Sequence, residues 1–452
     1  MLGPRLVIAG THSGAGKTTI ATGIMAALSR SGLKVASAKV GPDYIDPGYH
    51  SLATGRPGRN IDTWMCGSDS PSVLAAHAAR GSDLLVVEGV MGLFDGVGSG
   101  HEASTAEVAL ALQAPVVLVV DASSMSASVA AIVHGYATLR PEVRVAGVIL
   151  NRVGSTNHES LLREALAGGR IPVLGAVHRD DALVWRDRHL GLVPVTEDRL
   201  RLERSVERLA GAVAARVDLG ALVTLARSAP LVNPGTRHDA LPSATVRIAI
   251  AAGRAFSFTY PDNLERLEEA GAQLCPFDPL DDVDLPDGAE GLYAGGGFPE
   301  VYAEALASNR ELLGAVGRRV AAGMVTWAEC GGLLWLARSL DGHQMCGAIP
   351  ADARMGTDLH LGYRTATALV ANPVTRAGSV LRGHEFHYSS LDPAGDAMRI
   401  EHRRGGSAQT ALAGHASPTM MASYLHVHLG TDPAPAERFV AAVAATAGSA
   451  GR

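Results

Sequence analysis

Short runs of apolar, often β-branched residues alternate with helical stretches along the chain, and this alternation restricts the possible folds more than any other feature. In the first half the runs are RLVIAG, KVASAKV, DLLVVEGV, APVVLVVD and VRVAGVILNRV. Continuous apolar runs of this length are typical of strands buried on both faces of a sheet. Helices between such strands predict a parallel sheet with right-handed crossovers, so we predict an α/β fold.

A change in composition at residues 227–244 divides the chain. This segment, RSAPLVNPGTRHDALPSA, is rich in proline and small polar residues, which is typical of a linker. A second α/β pattern follows it, in VRIAIAAG, YPDNLERLEEAGAQLCPF, GLYAGGG and GMVTWAECGGLLWLARSL. We therefore predict one domain at residues 1–226 and another at residues 245–452.

The overall composition argues against several classes of function. The 452 residues carry a net charge of −6, so no basic surface for nucleic acid is expected. The four cysteines show no paired or metal-type spacing, which favours a reducing cytoplasm. The residues before RLVIAG are too few for a signal peptide, and the apolar stretch VALALQAPVVLVVDA is interrupted by Gln113 and Pro115. We expect a cytoplasmic protein that binds neither nucleic acid nor a membrane.

The segment GTHSGAGKTT, residues 10–19, lies between a predicted strand and a predicted helix. The strict phosphate-loop pattern requires glycine at the position of Thr11, but here the glycine is one residue earlier, at Gly10. Glycines allow backbone N–H groups to surround a phosphate, while Lys17 can reach the terminal phosphates and Thr18 can bind magnesium. A glycine-rich turn without a ligand is the alternative. The predicted ATP-binding residues of this P-loop are Gly10, Thr11, Ser13, Gly14, Ala15, Gly16, Lys17, Thr18 and Thr19.

Polar side chains at the ends of other strands complete this site, because ligands of open parallel sheets bind beyond the carboxyl ends of the strands. Glu88 ends the run DLLVVE and, like Thr18, is a predicted magnesium ligand, as is Asp62 in GRNIDTWM. Asn151, at the end of GVILN, is predicted to read the adenine edge of the nucleotide. Solvated carboxylates and a strand-end cap are the alternative interpretations.

The segment AKVGPDYIDPGYH follows a further predicted strand and carries charges of both signs. Its prolines and glycines restrict the loop, and its charged groups can meet an anionic substrate together with a metal ion. A polar loop without a ligand is the alternative. The residues predicted to contact the substrate and the transferred phosphoryl group are Lys39, Asp43, Tyr44 and Asp46, with His50 in the same segment.

In the second half, MVTWAECGGLLWL places Cys330 between a predicted strand and a helix that begins with two glycines. This arrangement is that of a nucleophile elbow, and a thiol at a helix N-terminus loses its proton more readily than a free one. A buried structural cysteine is the alternative. Acyl transfer also requires an oxyanion hole, for which the N–H groups in YAGGGFPE are suited, in particular Gly296 and Gly297.

The base that activates such a cysteine should be a histidine. His426 and His428 alternate along a predicted strand, so only one of them should face inward. The residues alone do not decide among the candidates, which are His384, His387, His426 and His428.

Taken together, the motifs resemble the cobyrinic acid a,c-diamide synthase family, which includes the hydrogenobyrinic acid enzymes, over nearly the full length. The resemblance is carried by GTHSGAGKTT, KVGPDYIDPGYH, RNIDTWM, VEGVMGLFDG, YAGGGFPE, WAECGGLLWL, RGHEFHYS and SYLHVHLG, in that order. It implies a dethiobiotin synthetase-like fold for the first domain, which shares the longer P-loop. It implies a fold similar to the class I, triad-type glutamine amidotransferases for the second.

The resemblance also implies a two-part reaction. The cysteine takes ammonia from glutamine, while ATP and Mg²⁺ convert a substrate carboxylate to an acyl phosphate that ammonia displaces. The substrate implied is a corrin polycarboxylate, amidated at its a and c acetate groups. The resemblance allows a homodimer.

Residue roles carried over from the resemblance make Cys330 the nucleophile and His426 the activating residue, with His428 as the alternative. The amidotransferase relatives usually follow this histidine with Pro-Glu, whereas this chain reads His-Val-His. The third member of the triad is therefore open. The turn before Cys330 also departs from the usual pattern, because it reads Ala-Glu where Gly-Val or Gly-Ile is common.

Three other functions compete with this one. Cobyric acid synthase and the synthase that amidates nickel sirohydrochlorin share both domains and most of the motifs. A partition-type switch ATPase would be a binding module without synthetic chemistry. Such ATPases carry a lysine where this chain has Thr11, and they lack an elbow-cysteine domain.

Overall fold

The computed structural model describes residues 1–98, 100–180, 187–188, 191–192, 194–238, 242, 245–404 and 407–450. These residues fall into two compact units, Met1–Thr236 and Arg237–Arg452. The division lies inside the predicted linker 227–244. The start of that linker is held on the N-terminal unit, because the Arg5 guanidinium donates to the Pro230 carbonyl at 2.7 Å.

A parallel sheet of seven strands forms the centre of the N-terminal unit, in the order β3-β2-β4-β1-β5-β6-β7 for strands numbered along the chain. All residues of the first strand are buried, as expected for a strand covered by helices on both faces. The strands are β1 (Arg5–Gly10), β2 (Val35–Val40), β3 (Arg59–Ile61), β4 (Leu84–Glu88), β5 (Val116–Asp121), β6 (Val145–Val153) and β7 (Val173–His178).

Helices connect these strands, as the alternating pattern predicts. A short antiparallel pair and a 3₁₀ turn (Val195–Glu197) follow the sheet. The helices are α1 (Lys17–Arg30), α2 (Asp46–Thr54), α3 (Thr63–Cys66), α4 (Ser70–Ala78), α5 (Thr105–Ala111), α6 (Ser128–Thr138), α7 (Thr156–Leu166), α8 (Arg199–Arg216) and α9 (Leu219–Arg227), and the pair is β8 (Asp187–Arg188) with β9 (Gly191–Leu192).

Strand register brings the predicted polar residues of the N-terminal unit to one edge of the sheet. Glu88 at the end of β4 lies beside Ile8 on β1 and beside Lys39 on β2. The P-loop leaves the end of β1, between β4 and β5. The carboxyl ends of the central strands therefore surround the P-loop, as expected for an open parallel sheet.

The C-terminal unit contains a second, mostly parallel sheet in the order β11-β10-β12-β13-β21-β20, of which β20 is antiparallel to its neighbour. Its strands are β10 (Val246–Ala251), β11 (Ala272–Phe277), β12 (Gly291–Ala294), β13 (Val325–Glu329), β20 (His415–Ser417) and β21 (Met420–Ser423). The helices of this unit are α10 (Pro261–Glu269), α11 (Ala303–Ser308), α12 (Arg310–Ala321), α13 (Gly331–Leu336) and α14 (Ala434–Ala450). No helix in the described ranges has the length and apolarity needed to cross a membrane.

This unit also contains a mainly antiparallel sheet, which is not predicted from the sequence. Its centre is a long hairpin whose second strand pairs with the short strand that begins at His426. The strands are β14 (Ser339–Leu340), β15 (His343–Gln344), β16 (Asp352–Ala368), β17 (Val380–Asp392), β18 (Met398–Arg404), β19 (Ser407–Ala413) and β22 (His426–Val427).

Two buried tryptophans hold the strand–turn–helix segment around Cys330. Trp327 on β13 packs edge-on against Tyr293 and Phe439, with ring centroids 5.2 and 5.7 Å away. Trp335 on α13 belongs to a separate apolar cluster. Because the segment is anchored in two clusters, its turn is held rigidly enough to keep an unfavourable backbone conformation.

Candidate active sites

The P-loop joins β1 to α1 through two glycines in the left-handed region, Gly14 at φ 83° and Gly16 at φ 91°. Residues other than glycine rarely adopt this conformation. The N-cap residue of α1 is Gly16, which has no side chain that could accept from the first N–H groups of the helix. A helix N-terminus in this state attracts a phosphate through both its N–H groups and its dipole.

The position of Gly10 has a packing reason. A Cβ built on Gly10 would lie 2.7 Å from Lys17 Cγ, because the lysine stem passes directly over this residue. Lys17 Nζ then donates to the His12 carbonyl at 3.0 Å. Burial, followed by the charge of Lys39, lowers the pKa of Lys17 to about 8.

Asn151 lies against the P-loop. Its Nδ2 donates to the Ala15 carbonyl at 3.0 Å, and a Cβ on Gly16 would come within 2.1 Å of that nitrogen. The side chain thus supports the loop from the end of β6. Its predicted contact with the adenine edge stays a prediction.

Four side chains from different elements form an acidic cluster beside the P-loop. The Thr18 hydroxyl donates to Glu88 Oε1 at 2.6 Å and to Asp46 Oδ2 at 3.2 Å. Lys39 Nζ lies 2.6 Å from Asp46 Oδ2 and 2.7 Å from Glu88 Oε1. All four are found among the residues that the sequence assigns to metal or substrate.

The fifth member is His50, to which the sequence analysis assigns no role. His50 Nε2 lies 2.6 Å from Glu88 Oε2, and both side chains are fully buried. His50 follows Asp46 by four residues on α2, so both point from one face of that helix. The four-residue spacing from Asp46 is the signal that could have assigned His50 to this cluster. Using that signal requires knowing that α2 faces β4.

Burial and mutual charge set the protonation of this cluster. Burial alone would raise the pKa of Glu88, but Lys39 and His50 more than offset it and hold that pKa below its ordinary value. Burial would likewise lower the pKa of Lys39, yet Asp46 and Glu88 raise it. The pKa of Asp46 is raised to about 7 by burial and by Asp43, against the effect of Lys39.

The remaining predicted residues of this region have structural contacts. Asp43 Oδ1 accepts from the N–H groups of Ile45 and Asp46 at 2.8 and 2.9 Å, directly before α2, and Tyr44 is half-buried on the same loop. Asp62 Oδ1 accepts from two N–H groups at the start of α3 and serves as its N-cap. The structure therefore shows a capping role for Asp62, and its predicted binding of metal stays a prediction.

The donor set beside the P-loop fits magnesium. The Thr18 hydroxyl lies within hydrogen-bonding distance of carboxylate oxygens of Asp46 and Glu88. Mg²⁺ prefers oxygen ligands, of which the protein usually supplies only a few and water the rest. The sequence assigns Asp46 to the substrate, whereas its position makes it the third oxygen donor at this point.

In the C-terminal unit, Cys330 occupies a sharp turn between β13 and α13, with φ 47° and ψ −98°. This conformation is strained for any residue with a side chain and is typical of nucleophile elbows. Glycine is required two residues after Cys330, because a Cβ on Gly332 would lie 2.1 Å from the Ala294 carbonyl oxygen. The Cys330 side chain is buried, and the Gly332 N–H, just after it, donates to the Gly295 carbonyl at 2.9 Å.

His426 is the histidine that faces Cys330. Burial would lower its pKa, but the charge and hydrogen bond of Cys330, together with Glu329, raise it to about 10. A buried thiol and an imidazole in such contact can exist as a thiolate–imidazolium pair.

His428 is also buried, contrary to the expectation that only one histidine of this strand faces inward. Its ring packs on Tyr260 with centroids 4.6 Å apart, and its Nδ1 accepts from the Gly430 N–H at 3.1 Å. The strand β22 ends at Val427, so the alternation does not extend to His428.

The two earlier histidines, His384 and His387, lie close to His426 but are kept neutral. Burial, followed by the positive charge of His426, lowers the pKa of His384 far below its ordinary value. Burial lowers the pKa of His387 to about 3, and its ring stacks on Tyr424 at 3.8 Å. Neither is placed as His426 is to accept a proton from Cys330.

The loop of glycines lies against His426 and against Gly331, the residue that follows Cys330. A Cβ on Gly296 would lie 2.4 Å from His426 Cε1, and one on Gly331 would lie 2.9 Å from the Gly297 nitrogen. The Gly296 N–H donates to the Phe258 carbonyl at 3.0 Å. Gly297 is therefore the better placed of the two predicted oxyanion donors.

Comparison with known proteins finds similarity over both units. Residues 6–192 match the family model of the CobQ/CobB/MinD/ParA nucleotide binding domain, and residues 247–434 match that of the CobB/CobQ-like glutamine amidotransferase domain. The chain is 48% identical to the hydrogenobyrinate a,c-diamide synthase of Streptomyces coelicolor and 47% identical to that of Thermobifida fusca, with 97% of each chain covered in both cases. It is 45% identical to the cobyrinate a,c-diamide synthase of Syntrophotalea carbinolica, over 97% of this chain and 98% of that one.

Proposed function

The chain belongs to the family of hydrogenobyrinate and cobyrinate a,c-diamide synthases, and from its two candidate sites we propose how it carries out the reaction of that family. It is a ligase that uses ATP and glutamine to amidate the a and c acetate carboxylates of a corrin precursor in cobalamin biosynthesis. The observation that carries the mechanism is the separation of two centres, an elbow cysteine with a facing histidine in one unit and a phosphate loop with an acidic cluster in the other.

In the C-terminal unit, the Cys330 thiolate attacks the carboxamide carbon of glutamine. His426, as imidazolium, protonates the departing ammonia, which leaves a glutamyl thioester. Water then hydrolyses the thioester, with His426 accepting its proton, and glutamate is released. In this mechanism the N–H groups of Gly297 and Gly331 donate to the oxyanion, since the residue after the nucleophile commonly supplies one such donor.

In the N-terminal unit, the P-loop amides and Lys17 bind the phosphates of ATP. A substrate carboxylate oxygen attacks the γ-phosphorus, and ADP leaves. Ammonia then attacks the acyl carbon and displaces phosphate. Thr18, Asp46 and Glu88 would hold magnesium, which offsets the negative charge of phosphoryl transfer. Lys39 lies beside these carboxylates, where it can attract the carboxylate of the substrate.

Three further assignments belong to this proposal. The nucleotide is used together with Mg²⁺, the acceptor is a corrin polycarboxylate, and the reaction takes place in the cytoplasm, where ATP and glutamine are present. Their support is the oxygen donor set at Thr18 and the full-length similarity to named synthases.

The test is an assay with ATP, Mg²⁺ and glutamine on separate acceptors, with products resolved by mass. Hydrogenobyrinic acid or cobyrinic acid should each gain up to two amides. A lack of diamide from both would contradict the assignment. Amidation of nickel sirohydrochlorin or of the a,c-diamide itself, in preference to these acceptors, would favour one of the two alternative synthases.

A further inference from the structure

The imidazole of His426 faces a carboxylate on its other side. Its Nδ1 lies 3.6 Å from Glu329 Oε2, and both side chains are 1% exposed. Glu329 is the last residue of β13 and directly precedes Cys330 in the chain. One strand end therefore presents both a nucleophile and an acid to the same histidine.

The polar groups around Glu329 can donate hydrogen bonds to its carboxylate. The Tyr293 hydroxyl donates to Oε2 at 3.4 Å. Burial raises the pKa of Glu329 above its ordinary value, and hydrogen bonds and charge from His426, the Val427 amide and the Tyr293 hydroxyl offset this only in part. The described partners of this carboxyl are all groups that can donate a proton in a hydrogen bond.

The position where relatives carry the acid is occupied differently in this chain. Two residues beyond His426 stands His428, whose ring lies on Tyr260 and whose Nδ1 accepts from the Gly430 N–H. A histidine held in this way offers no negative charge to its neighbour. The acid of the triad must therefore come from another element.

None of the other titratable groups described around His426 supplies the acid of the triad. His384 stacks on it with ring centroids 5.0 Å apart and is kept neutral by burial. Cys330 is the reacting group itself. Besides burial, the positive charge of Arg364 lowers the pKa of both His384 and His387. Its guanidinium is paired with Glu385 at 2.7 Å. Among the described groups that favour a proton on His426, Glu329 is the carboxylate.

We propose that Glu329 is the positioning residue of the glutaminase centre and completes a triad with Cys330 and His426. It accepts the Nδ1–H of His426, which leaves Nε2 to exchange a proton with the thiol. The 3.6 Å separation is longer than a hydrogen bond, as is common before substrate binds. The inference rests on the proposed function, because it assigns Cys330 and His426 as that function does.

The test is Glu329→Gln, which keeps the shape of the side chain and removes its charge. The kcat for glutamine-dependent amidation should fall by ~100-fold with little change in KM for glutamine, because orientation of the histidine matters in the transition state. Amidation with free ammonia should stay at the wild-type rate. The alkaline limb of the glutaminase pH profile should move to lower pH, because the imidazolium has lost a neighbouring negative charge.

Two further variants separate positioning from a general structural effect. Glu385→Gln removes another buried carboxylate of the same unit and should leave the alkaline limb where it is. Glu329→Asp keeps a charge on β13 and remains informative if the glutamine variant does not fold. Its kcat should fall by about 10-fold with unchanged KM, since the carboxylate is drawn back from the imidazole.

Wild-type kcat in either Glu329 variant, or a loss of kcat without movement of the alkaline limb in Glu329→Gln, would overturn the inference. The inference would also be overturned if Glu385→Gln lost as much kcat as Glu329→Gln and moved the alkaline limb by the same amount. Cys330→Ala distinguishes a failure of the role of Glu329 from a failure of the proposed function. If it abolishes glutamine use while Glu329→Gln does not, only the role of Glu329 fails; if Cys330→Ala still uses glutamine, the proposed function fails.

Discussion

At the scale of single residues, close approach decides which side chains are tolerated. The lysine stem of the P-loop passes over Gly10, and the ring of His426 lies over Gly296. Neither glycine has the positive φ that would require it on backbone grounds. Both positions require glycine because a Cβ would collide with a neighbouring side chain. This requirement can be recognised only when that neighbour is known.

Gly10→Ala should impair ATP use, because the added Cβ meets Lys17 Cγ at 2.7 Å and must displace the lysine. We expect kcat/KM for ATP to fall by roughly 100-fold, with glutamine or ammonia as nitrogen source, since a small displacement of a phosphate-binding group is costly. Steady-state kinetics with both nitrogen sources measure this.

Gly3→Ala is the matched control, because a Cβ at Gly3 has nothing within 4 Å. It should behave as the wild type. If Gly10→Ala keeps kcat/KM for ATP within about threefold of wild type, Lys17 is not held as the structure shows, or it does not bind the phosphates.

At the scale of elements, the starts of two helices carry carboxylates with different tasks. Asp46 begins α2 and meets Thr18 and Lys39, whereas Asp62 precedes α3 and caps it. The sequence assigns the metal to Asp62 and the substrate to Asp46. The observed contacts favour Asp46 as the metal ligand, because a carboxylate oxygen of Asp46 and one of Glu88 both lie within hydrogen-bonding distance of the Thr18 hydroxyl.

A pair of asparagine variants tests this assignment. Asp46→Asn should raise the Mg²⁺ concentration needed for half-maximal activity by about tenfold or more, because it removes a charged oxygen donor. Asp62→Asn should leave it unchanged, because asparagine caps a helix as well as aspartate does. Magnesium titrations of ammonia-dependent amidation give both values. A shift in Asp62→Asn with none in Asp46→Asn would show that Asp62 is the ligand.

Strands buried on both faces were predictable, and strands with one exposed face were not. The runs RLVIAG, DLLVVE and APVVLVVD correspond to β1, β4 and β5 within a residue or two, because a continuous apolar run is a local signal. The hairpin of β16 and β17 escaped prediction. Much of β16 is exposed, and its sequence carries charged and polar residues among the apolar ones.

At the scale of the whole molecule, the proposed function divides the chemistry between the two units. Cys330→Ala should abolish glutamine-dependent amidation and leave ammonia-dependent amidation intact, because the thiolate forms the thioester but takes no part in acyl phosphate formation. Both activities are measured as diamide formed from the same corrin acceptor.

Cys275→Ala supplies the control, since Cys275 is a buried cysteine on β11 to which no chemical role is assigned. It should retain both activities. If free ammonia does not rescue Cys330→Ala, the division of labour between the units is wrong. The homodimer that the resemblance allows stays a prediction, which the mass in solution would decide.

The sequence by itself determined the α/β class, the phosphate loop, the elbow cysteine and the family, because each is written in contiguous residues whose spacing carries the chemistry. Only the tertiary structure decided which distant side chains meet. The pair of His50 with Glu88, the choice of Asp46 beside Thr18, and Glu329 behind His426 all join residues from separate elements. Strand register and helix facing set those distances, and a linear pattern does not contain them.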